Sequence, residues 1–402
     1  MRSERTIISR SDPRWETLVR HCRLANNLYN ATLYDVRQHY FEHGSYKSFE
    51  AQCRDFVSTT NPDYYALPTK VSKQIMRQAH KGFISFFSLL RKKRAGSYNK
   101  AVRIPGYKES GGMSQLLVSK ESIGQRPAQN NNGTYTYVIS VKDMGLEFVS
   151  RILPGEIKQV RFTPRGDHFV QEVVYDIPAP KSVPKNNRHM SVDLGVNNLA
   201  AVYSNVAESL LYNGKPVKSI NQFFNKVKSK IAQEGGVDTR RFHTLSRKRN
   251  FRIHDYFHKV SSHMINYAVS NNIDTIVVGY NVGWKQGVRI GRKNNQKFAS
   301  IPFHKLLSMI TYKAENAGIE VVTTEESYTS KTSFLDAETP VKHESYAGRR
   351  TKRGLFRASD NRIINADING AGQIMRKVFP DAYVYTAEGI AGCRSPRKVT
   401  LR

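Results

Sequence analysis

The sequence predicts a multidomain α+β protein, and three observations carry that expectation. The chain has 402 residues, two or three folded units at roughly 150 residues each. Its texture changes twice: helical spacing prevails up to about residue 100, and short β-rich runs divided by Gly, Pro and Asn follow up to about 182. Strands alternating with helices occupy the rest, which implies an α/β sheet.

In order, "ERTIIS" reads as one short strand, and Asp12–Pro13 as a helix start followed by Leu18, Cys22, Ala25, Leu28 and Tyr29 at helical spacing. After Pro68 a second helix carries Val71, Ile75, Ala79, Phe83, Phe86 and Leu90 on one stripe and cations elsewhere. "TYTYVISV", "GLEFVS", "IKQVRFTP" and "HFVQEVVYDI" suggest a small β-barrel or sandwich, and "PAPKSVPKNNRH" a linker. The last domain opens on "HMSVDLGVNNLAAVYS", a buried strand followed by a turn and a second strand. A basic helical region from about Ile220 to Asn271, the strand "IDTIVVGY", a helix from about Pro302 to Ala317 and the strand "IEVVTTE" follow.

Lysine and arginine total 63 against 33 acidic residues, a net charge of +30, so electrostatics favour a polyanion over a neutral small ligand. Nucleic acid is the expected partner, with the 21 Tyr and 19 Phe available in part for base stacking. Cys22, Cys53 and Cys393 are widely spaced and form no CxxC pair, which argues against a disulfide framework or a cysteine zinc site. No apolar run approaches the ~20 residues of a membrane span. The expected location is therefore cytoplasmic, at the nucleoid, without membrane attachment.

Against this cationic background, acids in apolar settings stand out. Asp193 lies inside the run "SVDLGVNNLAAV", Glu325 and Glu326 close the strand after the Pro302 helix, and Asp367 sits in "INADINGAGQI", a helix packing on the sheet. Strand ends of an α/β sheet bring such distant residues into one cleft. Gathered carboxylates need cations, and oxygen ligands suit Mg2+ or Mn2+. Two ions ~3.5–4 Å apart would serve phosphodiester hydrolysis. A turn or cap role for Asp193, and a solvated strand end for the glutamates, are the competing readings.

The segments "SVDLGVNNLAAV", "TIVVGYNVGWKQ", "EESYTSKTSF" and "INADINGAGQIMRKVFP" resemble the RuvC segments of TnpB, the transposon-encoded RNA-guided DNA nuclease family. "LPTKVSKQIMRQAHKGFISFFSLL" and "RIPGYK" are similar to its recognition helices and the start of its wedge barrel. The resemblance implies a wedge β-barrel (first strand in 1–10, remainder in 101–182) with a helical recognition insert (11–100). An RNase H-like RuvC nuclease domain (183–402) follows. It implies a guide RNA derived from the transposon, double-stranded target DNA licensed by a short adjacent motif, and metal-dependent cleavage by an RNA-guided DNA endonuclease. Asp193 matches the first catalytic carboxylate of the family and Asp367 the last, both as metal ligands.

Two departures qualify it. The family's second carboxylate ends the strand matching "TIVVGYN", where this chain has Gly279. A relocated ligand from Glu325 or Glu326 is expected, and strand alternation allows only one of them to face the cleft, with Glu326 favoured. The alternative is a nuclease-inactive guided DNA-binding protein acting as a repressor; a strand-joining transposase is more distant. The second departure is a zinc-free insert at about 333–363, where relatives carry paired cysteines: His343 alone is no ligand set, so no structural zinc is expected. Candidate nucleic-acid contacts are Lys70, Lys73, Gln74 and Arg77 on the second helix, and Arg247, Lys248, Arg249 and Arg252 in the basic helical region, with "GRRTKRG" and "WKQGVRIGRKNNQKF" as further basic segments.

Overall fold

A computed structural model describes residues 2–128, 136–178, 180–234, 236, 239–281, 300–381 and 387–401. The chain divides into two compact units, Met1–Pro178 and Ala179–Arg402. The basic segment "WKQGVRIGRKNNQKF" lies outside the described residues.

In the first unit, strand β1 (Arg2–Ile8) leads into the long helix α1 (Trp15–His43). The side chain of Asp12 accepts from the backbone N–H of Arg14 at 3.0 Å, and Gly44, at φ +63°, ends the helix in the left-handed conformation that only glycine adopts freely. Two short helices, α2 (Phe49–Ser58) and α3 (Pro62–Tyr65), precede α4 (Thr69–Arg94), whose predicted stripe of Val71, Ile75, Ala79, Phe83 and Phe86 is buried. Inside these helices His80 forms a polar knot. Its Nε2 donates to Gln52 Oε1 at 2.7 Å, and its Nδ1 accepts from the Tyr46 hydroxyl at 2.5 Å. Gln52 in turn donates to Asp35 Oδ2 at 2.8 Å.

The β-rich part comprises β2 (Leu116–Ser119), β3 (Ile123–Ala128), β4 (Thr136–Val141), β5 (Leu146–Ser150), β6 (Ile157–Arg165) and β7 (His168–Tyr175). These form two open antiparallel sheets, β1-β7-β6-β2 and β3-β4-β5, whose inward residues, among them Ile8, Ile139, Phe148, Phe162 and Phe169, share one apolar core. Among the described residues no strand pairing closes them into a single barrel. Among the described residues the strands of the meander β3-β4-β5 pair only with one another, and the Ser150 hydroxyl at the end of β5 donates to Glu4 Oε2 of β1 at 2.6 Å.

The second unit is built on a mixed six-stranded sheet. Its strands are β8 (His189–Leu194), β9 (Asn198–Ser204), β10 (Leu210–Asn213), β11 (Thr275–Gly279), β12 (Glu320–Thr324) and β16 (Arg397–Val399), in the order β12-β11-β8-β9-β10-β16. β8, β9 and β10 are successive antiparallel neighbours, whereas β11 runs parallel to both β8 and β12. Alternation along β9 shows why its apolar run is continuous: Ala200 and Val202 face one core, Ala201 and Tyr203 another. The first core is completed by α6 (Arg240–Ser270) and α7 (Phe303–Asn316), joined by α5 (Lys215–Glu234) through Val217. The basic helical region thus divides into two helices. The opposite core receives Ile368, Ala371 and Met375 of α8 (Ala366–Val378), together with Phe356 and Ile364.

Those last two residues belong to a small antiparallel sheet of β13 (Arg349–Lys352), β14 (Leu355–Arg357) and β15 (Ile363–Asn365). "GRRTKRG" is therefore the exposed strand and turn of a hairpin rather than a loop. A last helix, α9 (Ala387–Arg394), precedes β16, which pairs in parallel with β10. Among the described residues no helix is long and apolar enough to cross a membrane.

A candidate carboxylate centre

Asp193 stands near the end of β8, which flanks β11 on one side as β12 does on the other, the three running side by side in parallel. Val192 pairs with Val278 of β11, and Gly279 pairs with Thr324 of β12, so the ends of the three strands lie in a row. Helix α8 crosses them closely. Ser191 Oγ donates to the Ala371 carbonyl at 2.6 Å, and a β-carbon on Gly370 would stand 2.7 Å from Asp193 Oδ2. Only a residue without a side chain lets the helix approach the carboxylate this closely.

Gly279 shows the same economy of space. A β-carbon there would stand 2.5 Å from Ile374 Cδ1 and 2.8 Å from both Cγ and Oε1 of Glu326. The Glu326 side chain, entering from just beyond β12, therefore occupies the room next to the end of β11. Its backbone N–H donates to Asn281 Oδ1 at 3.0 Å, which fixes where the chain turns. Glu325 turns elsewhere: it is exposed, its carboxylate pairs with Lys377, and its Oε2 accepts from the Ser327 N–H at 2.7 Å.

Asp367 lies in the first turn of α8, where Asn365 caps the helix by accepting from the N–H groups of Asp367 and Ile368. One of its oxygens accepts from Asn198 Nδ2 at 2.7 Å, and the other faces Arg350 at 3.4 Å. Sequence reasoning missed both partners. Asn198 is the second asparagine of "GVNN", and Arg350 lay inside a basic run that reads equally well as solvated surface.

Electrostatics tie the three acids together. Burial, then the negative charges of Glu326 and Asp367, push Asp193 well above the usual carboxylate range, against a smaller opposing effect of Arg350. Burial pushes Glu326 up to about 7. Its Oε1 is buried without a hydrogen-bond partner among the described residues, an arrangement that leaves a strong acceptor unsatisfied. The acids share one electrostatic environment, yet among the described residues no three His, Cys, Asp or Glu side chains are drawn together tightly enough to form a ready ligand set.

The nucleic-acid candidates fall in both units. Lys70, Lys73, Gln74 and Arg77 recur on one face of α4; Lys70, Lys73 and Arg77 are exposed, Gln74 is half-buried, and Arg77 lies over the Phe49 ring. On α6, Lys248 and Arg252 are exposed beside a groove formed with α5, and Arg247 is half-buried. Arg249 is engaged within the protein. Its guanidinium donates to Asn221 Oδ1 at 2.7 and 2.9 Å and to the Ser300 carbonyl at 2.6 Å, tying α6 to α5.

Comparison with known proteins adds an independent line. A family model described as "OrfB_IS605: Probable transposase" matches residues 172–285, and one described as "Cas12f1-like, TNB domain" matches 303–374. The chain is 23% identical over 404 residues to the TnpB-like protein ORF457 of Acidianus two-tailed virus, covering 88% of this chain and 81% of that protein. The resemblance to the TnpB family is thereby shown. The TnpB-like chain is also 27% identical over 215 residues to the CRISPR-associated endodeoxyribonuclease Cas12f2 of a Micrarchaeota archaeon, covering 49% of this chain and 38% of that one. In fold it is similar to the protein of a Cas12f1-sgRNA-target DNA complex, with a TM-score of 0.55 at 14% identity over 89% of this chain and 82% of that chain. The TnpB-like chain thus has a mixed α+β multidomain fold of this kind.

Proposed function

We propose that the protein is a transposon-associated, RNA-guided DNA endonuclease that hydrolyses phosphodiester bonds with Mg2+, or Mn2+ in its place. One observation carries the reading: Glu326 fills the space beside Gly279 and shares an electrostatic environment with Asp193 and Asp367. The strand order, with three antiparallel strands followed by two parallel ones at the β8 edge, supports an RNase H-like (RuvC) sheet. The antiparallel sheets of the first unit support a wedge with helices inserted between β1 and β2. The relatives' names support a guide RNA and DNA as partners.

The donor set fits a hard divalent cation. It consists of carboxylate oxygens, one of them buried and unpaired, and two of the acids are shifted toward protonation as long as nothing offsets their charge. Asp193, Glu326 and Asp367 would hold the metal, which when bound supplies charge neutralisation and Lewis acidity at a phosphodiester. Asn198 fixes one oxygen of Asp367 and so sets the direction of the other. Arg350 supplies a positive charge on the solvent side, where a phosphate would approach.

The test is cleavage by the full chain with its co-purified RNA, in Mg2+ and in EDTA, alongside Asp193→Asn. Metal-dependent cutting that the substitution abolishes supports the proposal. Tight RNA-dependent DNA binding without any cutting in Mg2+ or Mn2+ would replace it with a guided repressor.

A further inference from the structure

Helix α8 carries Asp367 in its first turn, and the loop that begins at Glu326 is held along its side by three buried polar residues. Asn369, Gln373 and Arg376 follow one another at i, i+4 and i+7, on one face of the helix. Asn369 Oδ1 accepts from the Phe334 N–H at 2.9 Å, and its Nδ2 donates to the Thr332 carbonyl at 2.8 Å. One amide thus pairs with the backbone on both sides of Ser333, as a neighbouring strand would. Gln373 Nε2 and Arg376 Nη1 both donate to the Glu338 carbonyl, at 2.9 and 2.8 Å, and extend the grip along the loop. The Phe334 ring is buried in the core that α8 shares with β9.

This grip runs on to Glu326 through Thr332. The Thr332 N–H and hydroxyl both donate to the Tyr328 carbonyl, at 3.1 and 3.0 Å, and the Thr329 hydroxyl donates to the Glu326 carbonyl at 2.9 Å. Between them Tyr328 stands at φ +66°, a left-handed conformation that a bulky residue keeps only where its surroundings hold it. The Tyr328 side chain is exposed, which leaves the bonds from Thr332 as the restraint on that conformation. Asn369, by fixing the Thr332 carbonyl, fixes the residue that supplies them.

Resting on the nuclease reading above, we propose that Asn369 is a positioning residue for the metal ligand Glu326. By holding Thr332 and Phe334 against α8 it keeps Tyr328 in its left-handed turn, and so keeps the Glu326 carboxylate beside Gly279. The same helix carries Asp367, so the clamp sets one ligand relative to another that lies far from it in sequence. Asn369 itself coordinates nothing; it acts through the backbone that leads to Glu326. A ligand free to swing loses affinity, because binding must first freeze its motion.

Titration of the full chain with Mn2+, read by electron paramagnetic resonance, tests this without any cleavage. Asn369→Ala should weaken Mn2+ binding about tenfold or more, as expected when the support of a ligand is lost. Val260→Ala, which loosens the core on the opposite face of the sheet, should destabilise the chain yet leave Mn2+ affinity within about twofold. Tyr328→Gly placed in the Asn369→Ala chain should restore affinity about threefold, because glycine keeps a left-handed conformation without restraint. Unchanged affinity in Asn369→Ala, an equal loss in Val260→Ala, no recovery with Tyr328→Gly, or a wild-type chain that binds no Mn2+ would each overturn the proposal. If Asn369→Ala weakens Mn2+ binding but the wild-type chain cuts no DNA, the nuclease reading fails and the positioning role stands. Metal-dependent cutting with unchanged Mn2+ affinity in Asn369→Ala would spare the nuclease reading alone.

Discussion

Glu326 and Gly279 are sterically coupled: Cγ and Oε1 of the glutamate stand 2.8 Å from where a β-carbon on the glycine would be. A side chain at 279 needs Glu326 to yield, along with the tip of Ile374. Gly279→Asp alone should therefore destabilise the second unit by about 1–3 kcal/mol, the usual range for overpacking, without raising cleavage. Combined with Glu326→Ala it should fold better than either the Gly279→Asp chain or a simple sum predicts, and cut faster than Glu326→Ala. Chemical denaturation and cleavage rates of the four proteins make a double-mutant cycle; additive effects would count against the coupling.

The two adjacent glutamates should behave in opposite ways. Glu326→Gln is expected to lower cleavage by a hundredfold or more, whereas Glu325→Gln, at an exposed carboxylate paired with Lys377, should stay within about threefold of wild type. Equal losses in single-turnover assays would remove Glu326 from its proposed place.

Metal and proton should compete at this centre. Because folding raises Glu326 to about 7 from an ordinary value of 4.5, its contribution to the stability of the metal-free chain is present below 4.5 and is lost as pH rises through 7. Added Mg2+ should then raise the melting temperature more at pH 8 than at pH 6, and Glu326→Gln should flatten that difference. A pH-independent Mg2+ effect in wild type would contradict the ligand assignment.

Asn198 is expected to act through Asp367. Asn198→Ala should weaken apparent Mg2+ affinity about 10–100-fold, with cleavage recovering at high Mg2+, because the lost hydrogen bond frees the orientation of a ligand rather than removing it. Mg2+ titration of the cleavage rate is the measurement. A loss that no Mg2+ concentration restores would speak for a different role.

His80 should give the first unit an acid sensitivity. Burial lowers it from 6.5 to about 4, so the neutral ring that its bonds to Tyr46 and Gln52 require is stabilising above 6.5, and this contribution is lost as pH falls from there through 4. Between pH 7.5 and 4.5 the wild-type chain should lose about 2 kcal/mol more unfolding free energy than His80→Gln, read by urea titration.

What the sequence revealed follows from the range over which its signals act. Helical stripes are local, so the buried set Val71, Ile75, Ala79 and Phe83 on α4 could be read in advance. An acid inside an apolar run drew attention to Asp193, and the period of two predicted that Glu325 and Glu326 would part company. Pairing between distant strands has no local signature, which is why barrel and sandwich stayed open in the sequence and only the structure shows two sheets on one core, and why the parallel pairing of β16 with β10 went unforeseen. The partners Asn198 and Arg350 were hidden for a different reason. A polar residue in a turn and an arginine in a basic run are common everywhere, and only the approach of α8 and the β13–β14 hairpin to Asp367 singles them out.

The absence of a side chain at Gly370 has a practical consequence for engineering. Helix α8 carries Asp367 at its start and rests on β8, so a methyl group at 370 would press on the Asp193 carboxylate and turn it from its place. Libraries meant to retune the proposed activity should hold that residue fixed and diversify the solvent-facing hairpin instead, where Arg349, Thr351 and Lys352 can change without altering the register of the helix.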